Sequence, residues 1–510
     1  MEKLDVSNLI SDYYDRREIR RVGAHQFLEL IETRAKEFRS EGLSPYQRVA
    51  LLGGNNLQFL IDLFGIWSCG GTSIPLPRIA TDSELKSNLL RLCPHYVIEN
   101  NGRSPSKLQK TMQLDRGEIE IEGLDLTKAK PALALLTSGS SALPKIVLHS
   151  ESSLMNRLRH LDRAIPLESR ENTLALLPTQ FAHGLIGIVL SAIYSGAHLH
   201  LTPGLDVQRI AELKDWLAQS NPQFISATPG AWKLILKCAG ESPPAIKRLQ
   251  LASAPSSPKL WEALWSWALA GGREASLHHA YGLTETASWV SSQPWFPHAG
   301  STSVGNGTEF GSRFHFRKSP VSGENAQEIL IESEALALGY LYIDSDAQNE
   351  GLQDGRLKLE PLPLHPIDSN HTAYATGDLG ELDAEGNLTL RGRFGRLINR
   401  AGFKISPEEI EAALSQHEAI SGSLALPIGE MKDDVGLIVA FNSIGLSVSE
   451  KHRVANELFQ HLSRRLSREK LPSQIRSVAS LPLRPSGKID LCAAQEVWKG
   501  AEVIWPGQIS

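Results

Sequence analysis

Cysteine is scarce in this chain of 510 residues, with four in all (Cys69, Cys93, Cys238 and Cys492), each far from the next. No pair stands at C-x-x-C spacing, which argues against a thiolate metal site, and no disulfide framework is implied. Such usage leads us to expect a reducing, cytoplasmic setting. A basic excess is also missing: 52 Lys and Arg against 57 Asp and Glu leave a net charge of −5. The chain therefore has no surplus with which to hold a nucleic-acid backbone, and no nucleic-acid partner is expected. Apolar runs are short, and none approaches the roughly 20 residues that cross a bilayer. The opening Met1-Glu2-Lys3-Leu4-Asp5 has no apolar core of signal-peptide length. No membrane partner is expected, and neither an internal repeat nor a low-complexity segment is present. What is there, 41% hydrophobic and 21% charged, has the composition of a soluble globular protein too long for a single core.

Strand and helix signals alternate from the start. Residues 48–52 read as a short buried strand, 56–68 as an amphipathic helix ending at Gly70-Gly71, and 72–76 as another strand. Thr81-Asp82-Ser83-Glu84 is a capping box opening a helix to about Cys93, and a strand resumes at 96–99. The alternation continues through 174–177, 185–194, 198–202, 207–219 and 224–227, which predicts parallel sheets covered by helices. From about Gly305 to Arg391 helical periodicity fades. Short β-like runs at 329–331 and 388–391 lie between Gly, Asp and Asn turns, the texture of a β-rich subdomain. A further change falls at Gly392-Arg393-Phe394-Gly395-Arg396. Beyond it Ser406-Pro407-Glu408-Glu409 forms a second capping box, and Leu458, Phe459, Leu462 and Leu466 form an apolar helical stripe. The reading is α/β: a body over 1–393 and a small α+β domain over 394–510.

Five segments carry chemistry. In Leu135-Leu136-Thr137-Ser138-Gly139-Ser140-Ser141-Ala142-Leu143-Pro144-Lys145 an apolar strand runs into small hydroxylated residues, a glycine and a lysine. Hydroxyls, free N–H groups and an ammonium are the donors a polyphosphate needs. The Gly-Lys-Ser/Thr ending of a Walker A loop is missing, and a polar surface loop is an equal alternative on this segment alone. Tyr281-Gly282-Leu283-Thr284-Glu285-Thr286 offers a ring suited to stacking on a purine and a carboxylate suited to Mg²⁺. Tyr374-Ala375-Thr376-Gly377-Asp378 offers a carboxylate after a glycine turn, suited to ribose hydroxyls or simply ending a strand. The fourth is Gly392-Arg393 with Ala401-Gly402-Phe403-Lys404 after it. The fifth is Leu483-Arg484-Pro485-Ser486-Gly487-Lys488, a lysine on a glycine-containing loop.

In this order and spacing the five segments resemble the ANL superfamily of acyl-CoA and aryl-CoA synthetases, nonribosomal peptide adenylation domains and luciferases. The resemblance runs over nearly the whole chain. It implies a large N-terminal body of α/β subdomains with a β-rich subdomain, plus a small mobile C-terminal α+β domain acting as a lid. It implies ATP and Mg²⁺ as cofactors and a carboxylic acid as substrate. Thr137, Ser138, Gly139, Ser140, Ser141 and Lys145 would close over the ATP phosphates. Ser253, Ala254 and Pro255 would lie against the adenine, with Tyr281 and Gly282 on its other side. Thr284 would contact the α-phosphate, Glu285 would bind Mg²⁺, and Asp378 would hold the ribose hydroxyls with Arg393 nearby. Lys488 would bridge acid and α-phosphate as the catalytic lysine. The chemical problem is that a carboxylate must attack an anionic triphosphate, and cations that offset the developing charge solve it. In the family the lid then turns about the junction, and a thiol attacks the acyl-adenylate.

The chain departs from the family pattern in places. Ala142 and Ile146 stand where glycines are usual, which stiffens the phosphate loop because neither reaches φ > 0 readily. Gly395 occupies the hinge, usually Asp or Lys, and Asn399 replaces a common lysine. Adenylation stays expected, and the speed of the second step is what these changes put in question.

Pro178-Thr179-Gln180-Phe181-Ala182-His183-Gly184 resembles the family's region beside the acid pocket, giving His183 and Gly184 as substrate residues. The amino-acid-activating branch has an aspartate here for the substrate ammonium, and this chain has none. An aryl or medium-length acyl acid is therefore expected rather than an amino acid. Trp232 is expected at the pocket wall and Trp289 is an alternative, with core packing equally open to both. The acceptor would be CoA or the phosphopantetheine of a separate carrier protein acting in trans, since no carrier domain follows Lys488. A non-thiol nucleophile, or a degenerate nucleotide-binding homologue, are the other readings. Gly305-Asn306-Gly307 reads as a turn rather than a dinucleotide fingerprint. The pairs His198/His200 and His278-His279 read as structural, having no further ligands at metal spacing.

Overall fold

Strands Arg48–Leu52 and Thr72–Leu76 are buried at every residue, the pattern of parallel strands covered on both faces. The computed structural model describes all residues except 1–8, 16–17, 78–81, 101–105, 112–124, 138–144, 206–208, 254–255, 257, 271–273, 298–302, 319–326, 344–356, 394–397, 402, 406, 415–416, 430, 444, 483–490 and 506–510. The chain divides into two units. One comprises Met1–Arg78, Arg91–Leu136 and Ile146–Phe394; the other comprises Ile79–Leu90, Thr137–Lys145 and Gly395–Ser510.

The first unit holds an eight-stranded sheet ordered Ser288–Trp295, Ser276–Leu283, Arg248–Leu251, Phe224–Ala227, Asn172–Ala175, His198–Leu201, Ile10–Asp15 and Glu18–Val22. Its interior strands pair in parallel, and only the two edge strands run antiparallel. A second sheet centres on Arg48–Leu52, Thr72–Leu76, Pro131–Thr137 and Lys145–Ser150. Helix Leu57–Ser68 lies in this layer, apolar around most of its circumference and therefore a core helix. Asn56 caps it by accepting from the Phe59 N–H at 2.8 Å. The β-rich part is an antiparallel sheet of Ser312–Lys318, Gln327–Ser333, Thr372–Leu382, Leu364–Pro366 and Leu388–Arg393.

In the second unit, strands Ile420–Ile428, Asp434–Phe441, Gln474–Val478 and Glu502–Trp505 form one sheet. Helices Pro407–Leu414 and Val448–Ser463 pack on it through Ile410, Leu414, Leu458 and Leu462, against Leu437 and Val439. The architecture is thus mixed α/β, with a large N-terminal body and a small C-terminal α+β part. No helix among the described residues is long and apolar enough to cross a membrane.

Local differences from the sequence reading have physical causes. The helix expected over 207–219 is a 3₁₀ turn at Ile210–Glu212 followed by an α-helix at Leu213–Ser220. Only from Leu213 do buried residues (Leu213, Trp216, Leu217, Ser220) recur at helical spacing, and Asn221 ends the helix at φ 38°. Of the two expected capping boxes, Thr81 and Ser406 lie outside the described residues. A complete box is built instead by Ser447 and Glu450 at the start of Val448–Ser463, a Ser-x-x-Glu signal the reading passed over. The run 183–195 is a π-helix, His183–Leu190, continued by the α-helix Ser191–Ser195.

Candidate active site

Strand Ser276–Leu283 leaves the sheet into a turn and returns antiparallel as Ser288–Trp295. Gly282 makes this possible. A Cβ there would meet the Ser288 carbonyl and come within 2.6 Å of the Trp289 Cα, so no side chain fits. Within the turn the Thr286 hydroxyl accepts from the Leu283 N–H at 3.1 Å and lies 2.9 Å from the Ser288 carbonyl. Ala287 and Ser288 are held at φ 53° and 95°, left-handed conformations that L-residues resist. Such strain persists only where the surroundings over-determine it. Arg157 supplies much of that constraint: fully buried, it donates to the carbonyls of Thr286 (3.0 Å) and Phe310 (2.6 Å) and to Ser333 Oγ (3.3 Å). Burial alone brings its pKa down to about 9, so it stays charged at neutral pH.

This turn presents Glu285, which is 6% exposed. Its Oε1 accepts the Tyr340 hydroxyl at 3.0 Å, and Tyr340 Oη in turn lies 3.0 Å from Tyr374 Oη. The backbone of Glu285 is held by the Ala337 N–H at 2.8 Å. Among the described residues no cation forms an ion pair with the Glu285 carboxylate. His149 lies beside it, fully buried, with burial pushing its pKa down to about 4. Neither of its ring nitrogens closes a well-formed hydrogen bond, although the Thr284 backbone and the Glu285 carboxylate face it. Thr284 itself is half-buried.

Tyr281 joins the same cluster from the strand below. Its hydroxyl donates to Asp378 Oδ2 at 2.6 Å. Asp378 stands on Thr372–Leu382 immediately after Gly377, whose φ of 74° bends the strand. The Asp378 N–H is taken by Thr376 Oγ1 at 2.9 Å, and Thr376 Oγ1 donates to the Ile329 carbonyl at 2.8 Å. The backbone at Asp378 is paired in register with Arg393. Tyr281, Thr284, Glu285, Asp378 and the Arg393 backbone, read from three separate segments, thus belong to one part of the first unit.

A second cluster gathers around His183. Its Nδ1 lies 2.8 Å from Ser253 Oγ and its Nε2 2.8 Å from Ser226 Oγ. Its ring meets Trp289 edge-on, with centroids 5.1 Å apart. Burial lowers its pKa to about 3, so His183 is a neutral ring with both nitrogens occupied. Two glycines let the π-helix come this close. A Cβ on Gly184 would strike the Pro178 carbonyl, and one on Gly187 would lie 2.6 Å from Ser288 Oγ and 3.1 Å from the Trp289 ring. Trp232 is placed differently. It is fully enclosed on helix Pro229–Cys238, donating to the Gln250 carbonyl at 3.0 Å and packing on Trp267.

Thr137 ends strand Pro131–Thr137 and Lys145 begins Lys145–Ser150. Ser138, Gly139, Ser140, Ser141, Ala254, Pro255 and Lys488 lie outside the described residues, as do Ala142, Gly395 and the Arg393 side chain. The sequence reading missed His149, Arg157, Tyr340 and Ser226. His149 had a legible signal, a polar residue inside the apolar strand that follows Lys145; the other three gave none. The remaining histidines have structural bonds: His198 with Ser11 at 2.9 Å, His200 with Tyr13 at 3.0 Å, and His279 with the Ser303 carbonyl at 3.2 Å. Gly305, at φ 79°, sits in a turn.

Residues 10–341 match the family model described as AMP-binding enzyme. The chain belongs to that family. It is an adenylate-forming enzyme, and the family implies binding of ATP and AMP. Among its relatives, an oxalate–CoA ligase of Arabidopsis thaliana is 25% identical, over 90% of this chain and 90% of that protein. A mycosubtilin synthase of Bacillus subtilis is also 25% identical over 89% of this chain, which spans only 17% of that protein's length. Among solved structures, a double mutant of the o-succinylbenzoate CoA synthetase of Bacillus subtilis superposes with a TM-score of 0.72 at 17% identity, covering 95% of each chain. That likeness is one of fold.

The Glu285 site fits a magnesium ion by its own chemistry. It is a buried carboxylate with a single hydrogen bond and no cationic partner among the described residues. The described residues contain no group of three or more His, Cys, Asp or Glu that could hold a metal. One carboxylate, with the remaining positions left to phosphate oxygens and water, is how proteins usually hold Mg²⁺.

Proposed function

We propose that this enzyme joins an aryl or medium-length acyl acid to AMP and passes the acyl group to the thiol of CoA or of a separate carrier protein. The observation that carries the reading is the shared placement of Tyr281, Asp378 and Glu285, with Tyr281 bonded to Asp378 and Glu285 without a cation. In this reading Asp378, steadied by the Tyr281 hydroxyl, keeps its second oxygen for the ribose hydroxyls. Glu285 is held by Tyr340 in the orientation that would bind Mg²⁺, which when bound offsets phosphate charge. Thr284 donates to the α-phosphate. Thr137, Ser138, Gly139, Ser140, Ser141 and Lys145 hold the β- and γ-phosphates. Lys488 brings an ammonium to the acid and the α-phosphate, where negative charge builds as they join. The neutral His183, tied to two serines, orders the acid side without adding charge. It offers no anion to a substrate ammonium, in keeping with an acid that is not an amino acid.

The test is acid-dependent exchange of pyrophosphate into ATP across a panel of carboxylic acids, followed by mass spectrometry of the products with CoA and with a carrier protein. Exchange is expected in the wild type and abolished in Lys488→Ala with unchanged circular dichroism. Exchange retained in that variant would overturn the role of Lys488, and no exchange with any acid would overturn adenylation of these acids.

A further inference from the structure

The sheet face that carries Ser226 also carries a line of buried polar groups that the adenylation reading leaves unused. In register, Phe224 stands beside Arg248, Ser226 beside Gln250, and Gln250 beside His278. Side chains alternate along each strand, so Ser226, Arg248, Gln250 and His278 share one face. His183 reaches that face through Ser226 Oγ, and Trp289 lies edge-on to both His183 and Phe224. The line therefore runs on from the cluster around His183.

Its hydrogen bonding is one-sided. Arg248 Nη2 reaches Gln250 Oε1 and Ser292 Oγ, both at 3.2 Å and both neutral. Arg248 Nε, Gln250 Nε2, Trp289 Nε1 and His278 Nδ1 are buried with no partner. The first three are obligate donors, and no acceptor meets them. The charge is equally lopsided. Among the described residues no carboxylate forms an ion pair with Arg248. Burial is the main influence on its guanidinium, and Arg170 repels it while Glu309 attracts it only from beyond ion-pair range. The carboxylate nearest to Arg170, Asp162 at 2.8 Å, is engaged by Arg170 itself. A buried cation with free donors and a second cation behind it is costly to keep, and an anionic oxygen group is what would complete it.

We propose that the acid this enzyme activates carries a second carboxylate, distal to the one that is adenylated, and that Arg248 and Gln250 hold it in the seam behind His183. The inference rests on the adenylation reading and narrows its substrate to dicarboxylic acids. Gln250 and Arg248 are two residues apart along the strand, roughly 7 Å, so the seam reaches well beyond His183. A monocarboxylic acid of equal length leaves Arg248 unpaired and the amide of Gln250 unmet, and such a site rejects an analogue that lacks the bonding group.

The experiment measures kcat/KM for acid-dependent pyrophosphate exchange with straight-chain diacids, each matched with the monoacid of equal length, and with terephthalate against benzoate. A monomethyl ester of the best diacid tests whether charge or only an acceptor is needed. The diacid is expected to be preferred by roughly 30-fold or more, the scale of leaving one member of a buried charge pair alone. That ratio is expected to collapse in Arg248→Met, to fall in Gln250→Leu and to be partly kept in Arg248→Lys. Melting curves report whether each variant folds, and Gln250→Leu decides if Arg248→Met does not. Equal rates for diacid and monoacid, or for the diacid and its ester, overturn the proposal. If no acid supports exchange, the adenylation reading fails separately, and equilibrium dialysis of the labelled diacid decides this one. Binding to wild type that is lost in the Arg248 variant supports the seam; no binding, or binding unchanged in that variant, overturns it.

Discussion

Glu285 illustrates how much a single side chain depends on what surrounds it. Its carboxylate is buried, one oxygen accepts the Tyr340 hydroxyl, and no cation pairs with it among the described residues. Replacing it with glutamine keeps the shape and the Tyr340 bond but removes the charge that would attract Mg²⁺. The Mg²⁺ concentration for half-maximal exchange is therefore expected to rise sharply in Glu285→Gln. In Tyr340→Phe, where only the orienting bond is lost, about a tenfold rise is expected. A magnesium titration of both variants checks this, and an unchanged requirement in Glu285→Gln would remove it as a metal ligand. Glu285 and Asp378 were legible in the sequence because each sits in a short motif with a glycine turn. Tyr340 was not, because nothing in its neighbours along the chain marks it; it matters only where the fold delivers its hydroxyl.

Among the elements, the π-helix His183–Leu190 shows how backbone geometry sets a site. Its two glycines face different obstacles. At Gly184 a Cβ would run into the Pro178 carbonyl, which is backbone and cannot give way. At Gly187 it would meet the Ser288 hydroxyl at 2.6 Å and the Trp289 ring at 3.1 Å, both side chains that can shift. Gly184→Ala is expected to lose about 1–3 kcal/mol or more of stability, the usual scale of overpacking. Gly187→Ala is expected to lose less, and instead to raise KM for the acid while leaving KM for ATP near its wild-type value, since the displaced Trp289 packs on His183. Denaturant melts with both Michaelis constants separate the two effects. The same helix shows where sequence reading ran short. The segment was assigned to the acid pocket from its motif, but the π geometry arises only because the helix must pack on Trp289 and Ser288 from a distant strand.

For the whole molecule, burial of histidines without charge links stability to pH. His95, His183, His200 and His278 are all lowered, first by burial, to about 4, 3, 3 and 3. Each is neutral in the fold but takes up a proton near pH 6.5 once unfolded. Below that value the unfolded chain binds more protons, so stability falls as pH drops from 6.5 toward the folded pKa values and is fully present above 6.5. One pH unit below 6.5, each such histidine is expected to remove about 1 kcal/mol. Thermal melts between neutral and mildly acidic pH check this. A melting temperature that stays level across that window would show that other groups compensate.

Sequence alone was enough to place this protein among adenylate-forming enzymes and to outline its α/β body. The strands at 48–52, 72–76, 96–99 and 224–227 stand where their apolar runs put them, because burial on both faces demands an uninterrupted apolar segment. The motifs at 281–286 and 374–378 were readable because glycine is required locally, where the chain turns or comes close to its neighbours. What only the tertiary structure decided is how distant side chains meet. Arg157 braces the Glu285 turn, Tyr281 bonds to Asp378 across 97 residues of chain, and Arg248 is buried without an anion. None of these follows from local pattern, since hydrogen bonds and desolvation depend on neighbours in space, which strand order and register set rather than adjacency in sequence.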